Sequence, residues 1–271
     1  MKALIFDLDD TLVVEKASAE AAFLETCELA RARYGIEPGE LHAAVRRTCR
    51  DIWHKSPARA YCVEIGISSW EGMWARFEGP DENLRILRDW GPSYRKNSWY
   101  EALREHGVED ADFAAELAAA FRANRCKRHI VYGDVRLALE QCRQSYRLGM
   151  LTNGAPDLQR HKIDAAAIGE YFDAIVISGE VGVGKPNARI YGIMLSRLGV
   201  TADDVVMIGN SLKSDVQGAQ AVGIRAVWVN RAGESRDGNI VPDLEVSNLA
   251  ELSETLRRGD VWPDRSRSVE L

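Results

Sequence analysis

Two aspartates spaced by two residues, Asp7 and Asp9, follow a short apolar run near the start of the chain. The run, residues 4–6, is typical of a buried strand. Because alternate residues of an extended segment point the same way, the two carboxylates start out on one face. Like charges that close repel unless a cation or a proton intervenes, so the pair predicts a site for metal-assisted chemistry. The alternative for such aspartates is a turn or a helix cap.

Two further segments place polar groups just past predicted strand ends, where open α/β sheets bind ligands. Thr152, Asn153 and Gly154 precede a predicted helix, and a hydroxyl with free backbone amides at a helix N-terminus suits an anion. The alternative there is a simple strand-to-helix turn. Lys185 follows the next strand, where its charge neutralises a phosphate or carboxylate unless it is a surface lysine. A P-loop does not fit, because Pro186 stands where Ser or Thr would bind magnesium.

A fourth segment follows the next predicted strand and offers oxygen ligands. Gly209 permits close approach of the backbone, and Asn210 and Asp215 carry oxygens that suit a hard cation. Asn210 is also a common helix-capping residue, which is the alternative for this position. Each segment is ambiguous alone, and their shared position at strand ends is what favours one site.

The periodicity predicts a parallel α/β sheet. Strands and helices alternate along the second half of the chain, which favours right-handed crossovers. The first half shows helical spacing of apolar residues, with one segment, about residues 56–100, that the pattern does not resolve. The predicted strands are 147–151, 172–178, 205–208 and 226–229, and the predicted helices between them are 156–167, 188–198 and 214–221.

The first strand and the second are separated by more residues than any loop of a compact domain needs. We therefore predict a Rossmann-like parallel sheet core flanked by helices, built from residues 1–14 and 131–255. An all-helical cap domain, residues 15–130, is inserted after the first strand. Residues 256–271 are polar and are expected to form a mobile tail.

The composition narrows the class of protein. The 271 residues carry a net charge of −6, which argues against a general nucleic-acid binder. There is no apolar stretch of about 18 residues, so no membrane span is expected. Five widely spaced cysteines without a C-x-x-C pair, and no apolar leader, favour reduced thiols in a cytoplasmic protein. The sequence does not indicate an oligomeric state.

The four segments, in this order and spacing, resemble the haloacid dehalogenase (HAD) superfamily over roughly residues 1–255. Its phosphatases carry D-x-D-x-T, then Ser or Thr, then Lys, then G-D-x-x-x-x-D. The insertion point resembles the subfamily with a helical cap after the first strand. Within it, the chain is most similar to N-acylneuraminate-9-phosphatases and related sugar-phosphate or nucleotide phosphatases. The resemblance implies a small phosphomonoester as substrate and Mg²⁺ as cofactor.

The resemblance also implies a role for each motif residue. Asp7 attacks phosphorus to form an aspartyl-phosphate, and Asp9 protonates the leaving alkoxide and then activates water. Thr152 and the amides of Asn153 and Gly154 hold phosphoryl oxygens, with Lys185 offsetting their charge. The implied metal ligands are Asp7, the Asp9 carbonyl, Asn210 and Asp215.

One position departs from the pattern, because Asn210 stands where the superfamily usually has Asp. An amide oxygen coordinates magnesium without adding negative charge, so we expect weaker magnesium binding rather than loss of activity. Two rivals stay open. A 2-haloacid dehalogenase would use the same nucleophile without a metal, although Asp9 would then have no leaving group to protonate. A catalytically silent scaffold would keep the fold and bind a phosphorylated ligand.

The sequence of the predicted cap does not indicate which substrate the protein binds. Arg125, Lys127, Arg128 and His129 lie near the returning linker and either meet an anionic substrate or, as we expect, form a solvated charge run. The tryptophans of this region either stack on a substrate or, as we expect for most, fill the cap core. They are Trp53, Trp70, Trp74, Trp90 and Trp99.

Overall fold

The computed structural model describes residues 1–236 and 238–258, and it contains a six-stranded parallel sheet in the order β3-β2-β1-β4-β5-β6. The predicted α/β class with a Rossmann-like parallel sheet is confirmed. The strands are β1 Ala3–Phe6, β2 Arg147–Thr152, β3 Ala174–Ile177, β4 Val205–Gly209, β5 Arg225–Val229 and β6 Leu244–Val246.

Helices cover both faces of the sheet, so that β1 is fully buried on both sides. On β1, Ala3 and Ile5 join one apolar cluster, and Leu4 and Phe6 join the other. The helices are α7 Val135–Arg143, α8 Pro156–Ala166, α9 Ser178–Val181, α10 Ala188–Leu198, α11 Gly218–Gln220 and α12 Leu249–Arg258.

A helical unit lies between β1 and β2 in the chain. It comprises α1 Lys16–Tyr34, α2 Pro38–Trp53, α3 Arg59–Ile65, α4 Ser69–Gly72, α5 Glu82–Arg104 and α6 Ala111–Cys126. It has its own apolar core, in which Trp53, Trp74 and Trp99 are buried and Trp70 and Trp90 partly buried. The tryptophans are therefore packing residues, as the sequence predicts.

Several predicted boundaries are wrong. The strand predicted at 172–178 is only Ala174–Ile177, because a 3₁₀ turn at Gly169–Tyr171 precedes it and α9 begins at Ser178. The helix predicted at 214–221 is a π-helix at Leu212–Gln217 followed by the short α11. It begins earlier than predicted because the Ser211 hydroxyl caps it by accepting from the Ser214 amide.

At the carboxyl end, β6 and α12 extend the core beyond the predicted elements. Helix α12 runs through Arg258, so the predicted tail does not begin at residue 256. The remainder of that tail, 259–271, lies outside the described residues. None of the helices in the described part of the chain combines the length and apolar character that a membrane span requires.

Candidate active site

Asp7 is the buried centre of the site, with 6% of its surface exposed. Its backbone amide donates to the carbonyl of Ile208 (2.9 Å), which fixes the loop after β1 against β4. The Lys185 ammonium donates to Asp7 Oδ1 (2.6 Å), and the Thr11 hydroxyl donates to Oδ2 (3.0 Å). Burial raises the pKa of Asp7 to about 7, although Lys185 opposes this. A positive charge beside Asp7 therefore decides whether it is ionised.

Lys185 links Asp7 to a second buried carboxylate. Its ammonium lies 2.7 Å from Asp215 Oδ1, and Asp215 Oδ2 accepts from the Ser211 amide (2.9 Å). Burial alone would lower the pKa of Lys185, but Asp215 and Asp7 raise it, so the ammonium stays charged. Both oxygens of Asp215 already have protein partners. The same is true of Asp7, so the predicted role of Asp215 as a direct metal ligand stays a prediction.

Gly209 makes room for the Asp215 carboxylate at the end of β4. A Cβ at this position would lie 2.3 Å from Oδ2 and 2.7 Å from the Asp215 Cβ. Only glycine allows so close an approach, which is the role the sequence predicts for it.

Asp9 is half-buried, and two side chains of α8 hold its carboxylate. Lys162 Nζ lies 2.9 and 3.0 Å from Asp9 Oδ1 and Oδ2. Gln159 Nε2 donates to Asp9 Oδ2 (2.9 Å) and to the Thr152 hydroxyl (2.6 Å). Gln159 and Lys162 are not among the predicted site residues, because nothing local in the sequence shows that these two polar side chains are buried.

The loop after β2 brings the predicted phosphate-binding residues to the same edge. Thr152 is buried, and the Asn153 side chain joins this loop to the next, donating to the Lys185 carbonyl (2.9 Å) and accepting from the Lys185 amide (2.8 Å). The Gly154 amide donates to Ser178 Oγ (2.8 Å) and to the Ile65 carbonyl (3.1 Å). Gly154 is thus already engaged, with a residue of the helical unit among its partners.

Asn210 lies beside Asp7 at the end of β4. Its amide donates to the Thr11 hydroxyl (3.1 Å), and its side-chain oxygen lies 3.5 Å from the same hydroxyl. Thr11 in turn donates to Asp7, so Asp7 and Asn210, two predicted metal ligands, contact the same hydroxyl. Trp228 Nε1 donates to the Asn210 carbonyl (2.8 Å) and fixes this turn.

A buried ionic network joins the helical unit to the core behind Asp9. Lys162 also lies 3.1 Å from Glu71 Oε1 on α4 and 3.2 Å from Glu15 Oε2. Arg125, only 1% exposed, pairs with Glu15. The predicted solvated charge run is therefore wrong at Arg125, because Glu15 supplies a buried partner that lies far away in sequence. Burial raises the pKa of Glu15 to about 7, opposed first by Lys162.

The chain has relatives and structural neighbours over nearly its whole length. A family model described as haloacid dehalogenase-like hydrolase matches residues 1–223. The phosphoserine phosphatase of Thermus thermophilus is 37% identical over 253 residues, covering 93% of this chain and 98% of that protein. The N-acylneuraminate-9-phosphatase of Mus musculus is 29% identical over 264 residues, covering 96% and 95%.

Among solved structures, the magnesium-bound HAD-hydrolase YfnB of Bacillus subtilis superposes with a TM-score of 0.64. It is 22% identical and covers 94% of this chain and 98% of that chain. At this identity, the likeness concerns the fold.

Proposed function

We propose that this chain, which belongs to the haloacid dehalogenase-like hydrolase family, hydrolyses a small phosphomonoester through an aspartyl-phosphate. Its relatives include phosphatases. The resemblance to HAD phosphatases inferred from the motifs is confirmed. The observation that carries the proposal is a buried Asp7 paired with Lys185, with the Asp9 carboxylate near enough to raise the pKa of Asp7. A nucleophile and a separate proton donor are what ester hydrolysis requires.

In the proposed mechanism, Asp7 attacks phosphorus and the ester oxygen leaves with a proton from Asp9. Asp9 then takes a proton from the water that hydrolyses the aspartyl-phosphate. Splitting the reaction in this way replaces one very slow step with two easier ones. Lys185 stabilises the ionised form of Asp7 and offsets charge on the phosphoryl group. The Thr152 hydroxyl and the Asn153 amide are assigned to the phosphoryl oxygens.

The oxygen donors around Asp7 fit a magnesium ion. Asp7, the Asn210 amide oxygen and the Asp9 carbonyl are hard ligands of the type that Mg²⁺ prefers. Within residues 1–236 and 238–258, no three His, Cys, Asp or Glu side chains form a metal site, which agrees with a single carboxylate in this donor set. Bound Mg²⁺ would supply charge neutralisation at the phosphoryl group. We assign Asp215 to the positioning of Lys185.

We assign residues 1–14 and 131–255 to a catalytic core and 15–130 to a cap that closes over it. The contact of the Ile65 carbonyl with Gly154 and with the Ser178 hydroxyl (2.5 Å) supports this, because it seats the helical unit on the loop that binds phosphate. The five cysteines are free thiols, which supports the proposed cytoplasmic location.

The test is phosphate release from a panel of phosphoserine, sugar phosphates and nucleotides, with magnesium and with chelator. We expect magnesium-dependent turnover that is lost in Asp7→Asn. Absence of turnover on every ester, from a protein shown by circular dichroism to be folded, would overturn the proposal. Halide release from 2-haloacids would then indicate a dehalogenase, and phosphate-ester binding without turnover would indicate a scaffold.

A further inference from the structure

Lys162 is a buried cation that the proposed mechanism does not use. It is 1% exposed and lies within 3.2 Å of carboxylate oxygens from Asp9, Glu15 and Glu71. The three carboxylates come from the loop after β1, from the segment that enters the helical unit and from α4. An ammonium buried in this way is held in place only because several anions surround it.

The contact with Asp9 fixes the rotation of its carboxylate. The ammonium is nearly equidistant from the two oxygens, at 2.9 and 3.0 Å, and Gln159 Nε2 adds a bond to Oδ2. Gln159 is itself fully buried and bound to Thr152. Two donors on one helix thus hold the carboxylate in a single orientation, which charge-assisted hydrogen bonds do better than neutral ones.

The contact with Glu71 comes from the helical unit, and Glu71 is itself fixed. Its Oε2 accepts from the amide and the hydroxyl of Ser68 (3.0 and 2.8 Å), which completes a capping box at the start of α4. This leaves Oε1 for Lys162 (3.1 Å). The Glu71 contact therefore exists only while the helical unit is seated on the core.

We propose that Lys162 is a positioning residue for the acid–base group Asp9, and that Glu71 makes this positioning depend on the seating of the helical unit. The inference rests on the proposed phosphatase function. With the unit seated, Lys162 is held between Glu71 and Asp9 and fixes the orientation of the Asp9 carboxylate. Without Glu71, the ammonium keeps Glu15 but has one anchor fewer, so the orientation of Asp9 is held less firmly.

The consequence is a dependence on the leaving group. An alkyl phosphate needs a proton on its departing oxygen, and p-nitrophenyl phosphate does not, because p-nitrophenolate is a stable anion. Loss of Asp9 alignment should therefore lower kcat/KM, which reports formation of the aspartyl-phosphate, far more for the alkyl ester than for the aryl ester. A purely structural defect would slow both equally.

The experiment compares kcat/KM for p-nitrophenyl phosphate with kcat/KM for the alkyl phosphate that the wild type hydrolyses fastest. For Lys162→Met, we expect the alkyl-to-aryl ratio to fall about 100-fold, since general acid catalysis contributes at least this much. For Glu71→Ala, a fall of about tenfold is expected, with KM changed less than about threefold, because one of the anchors of Lys162 is lost. Ser68→Ala is the matched control, since it loses the hydroxyl of the capping box but keeps the amide bond to Glu71 Oε2 and the Glu71–Lys162 contact. Its ratio should stay within about twofold of wild type.

A double-mutant cycle decides whether Lys162 acts through Asp9. In an Asp9→Asn background, Lys162→Met should lower the alkyl rate by less than about threefold more, because the group it positions is gone. Full multiplication of the two effects, or an unchanged ratio in Lys162→Met and Glu71→Ala, would overturn the inference. If Lys162→Met does not fold, the Glu71→Ala ratio decides. A wild type that hydrolyses neither ester contradicts the proposed function instead, so the two failures are distinguishable.

Discussion

Two buried lysines hold the two aspartates of the first motif, and their surroundings differ. Lys185 contacts Asp7 and Asp215, and all three residues lie in segments that follow strands of the sheet. Lys162 contacts Asp9 from α8 and reaches Glu71 in the helical unit. One cluster is built by the core alone, and the other spans two parts of the molecule.

Because of this difference, the cluster around Asp7 does not depend on the position of the helical unit, whereas the cluster around Asp9 does. The nucleophile cluster is fixed by strand pairing, since the Asp7 amide is bonded to Ile208 of the neighbouring strand. The acid–base cluster is complete only when α4 lies against α8. In the proposed mechanism, this arrangement would keep the nucleophile Asp7 ready and align the proton donor Asp9 when the helical unit closes on the core.

Loss of Lys185 should have the largest effect and should not discriminate between leaving groups. In Lys185→Met, we expect kcat to fall about 10³-fold on alkyl and aryl phosphates alike, because the lysine stabilises Asp7 and the phosphoryl charge. Removal of one partner from a buried ion pair should also lower the free energy of unfolding by about 3–5 kcal/mol. Steady-state rates, corrected for the folded fraction from urea titration, are the measurement.

The rates of Lys185→Met on the two kinds of ester test the distinction between Lys185 and Lys162 directly. A loss confined to the alkyl phosphate would show that Lys185 serves the leaving group, and the distinction between the two lysines would fail. Lys185→Arg is the charge-preserving control. It should also be slow, by about 10²-fold, because a planar guanidinium does not fit the compact site of an ammonium.

Gly209→Ala tests whether the core cluster tolerates displacement. The new Cβ would meet the Asp215 carboxylate at 2.3 Å, so Asp215 and the Lys185 that it holds must shift. We expect kcat to fall about 10²-fold, because a misplacement of a catalytic group by about 1 Å reduces the rate of an enzyme by about this factor. The free energy of unfolding should fall by about 1–3 kcal/mol from overpacking.

Gly192→Ala is the matched control, because a Cβ there meets nothing within 4 Å and the residue lies within α10. It should leave kcat unchanged and stabilise the protein by about 0.5–1 kcal/mol. Equal activity of Gly209→Ala and wild type would show that Asp215 does not position Lys185.

The contrast between the clusters is also the contrast between what the sequence predicts and what it misses. The strands before Asp7, Lys185 and Asp215 can be predicted from their apolar runs. Neighbouring parallel strands then bring their carboxyl ends to the same edge of the sheet. Local pattern and one topological rule therefore suffice. The same alternation predicts strands β2 to β5, whereas β6 and the order of the strands in the sheet come from the structure.

The acid–base cluster depends on contacts between distant parts of the chain. Glu71 lies in a segment without clear periodicity, and Arg125 reads as a solvated charge until Glu15 is placed against it. Lys162 lies on a helix that the sequence predicts, but nothing local shows that its charged end is buried. The π-helix at Leu212–Gln217 is missed for a similar reason, because it depends on contacts at the end of β4.

Asn210→Asp tests whether the cluster around Asp7 includes a magnesium site. A carboxylate in place of the amide adds a negative charge beside Asp7, and ligand charge sets the affinity of oxygen sites. We expect the half-saturating magnesium concentration to fall about tenfold, with kcat changed less. A magnesium titration of the hydrolysis rate measures this. Saturation of the wild type at low micromolar magnesium would contradict a weak amide-containing site.

The smallest effect should come from His129, at the junction of the helical unit with α8. Its ring is half-buried, 4.7 Å from the ring of His161 and 6.2 Å from that of Trp74. Burial lowers the pKa of His129 from 6.5 to about 4, and the positive charge of Arg125 adds to this. Between these values the unfolded chain binds a proton that the folded chain does not, so the free energy of unfolding falls as the pH is lowered.

With a discount for solvent around the half-buried ring, this contributes about 1 kcal/mol between about pH 7 and pH 4.5. His129→Asn should lose less stability than wild type over that interval, as measured by urea titration at both pH values. His54→Asn, at an exposed position on the helical unit, is the control and should follow the wild type. If His129→Asn shows the wild-type slope, protonation at this junction does not weaken the protein.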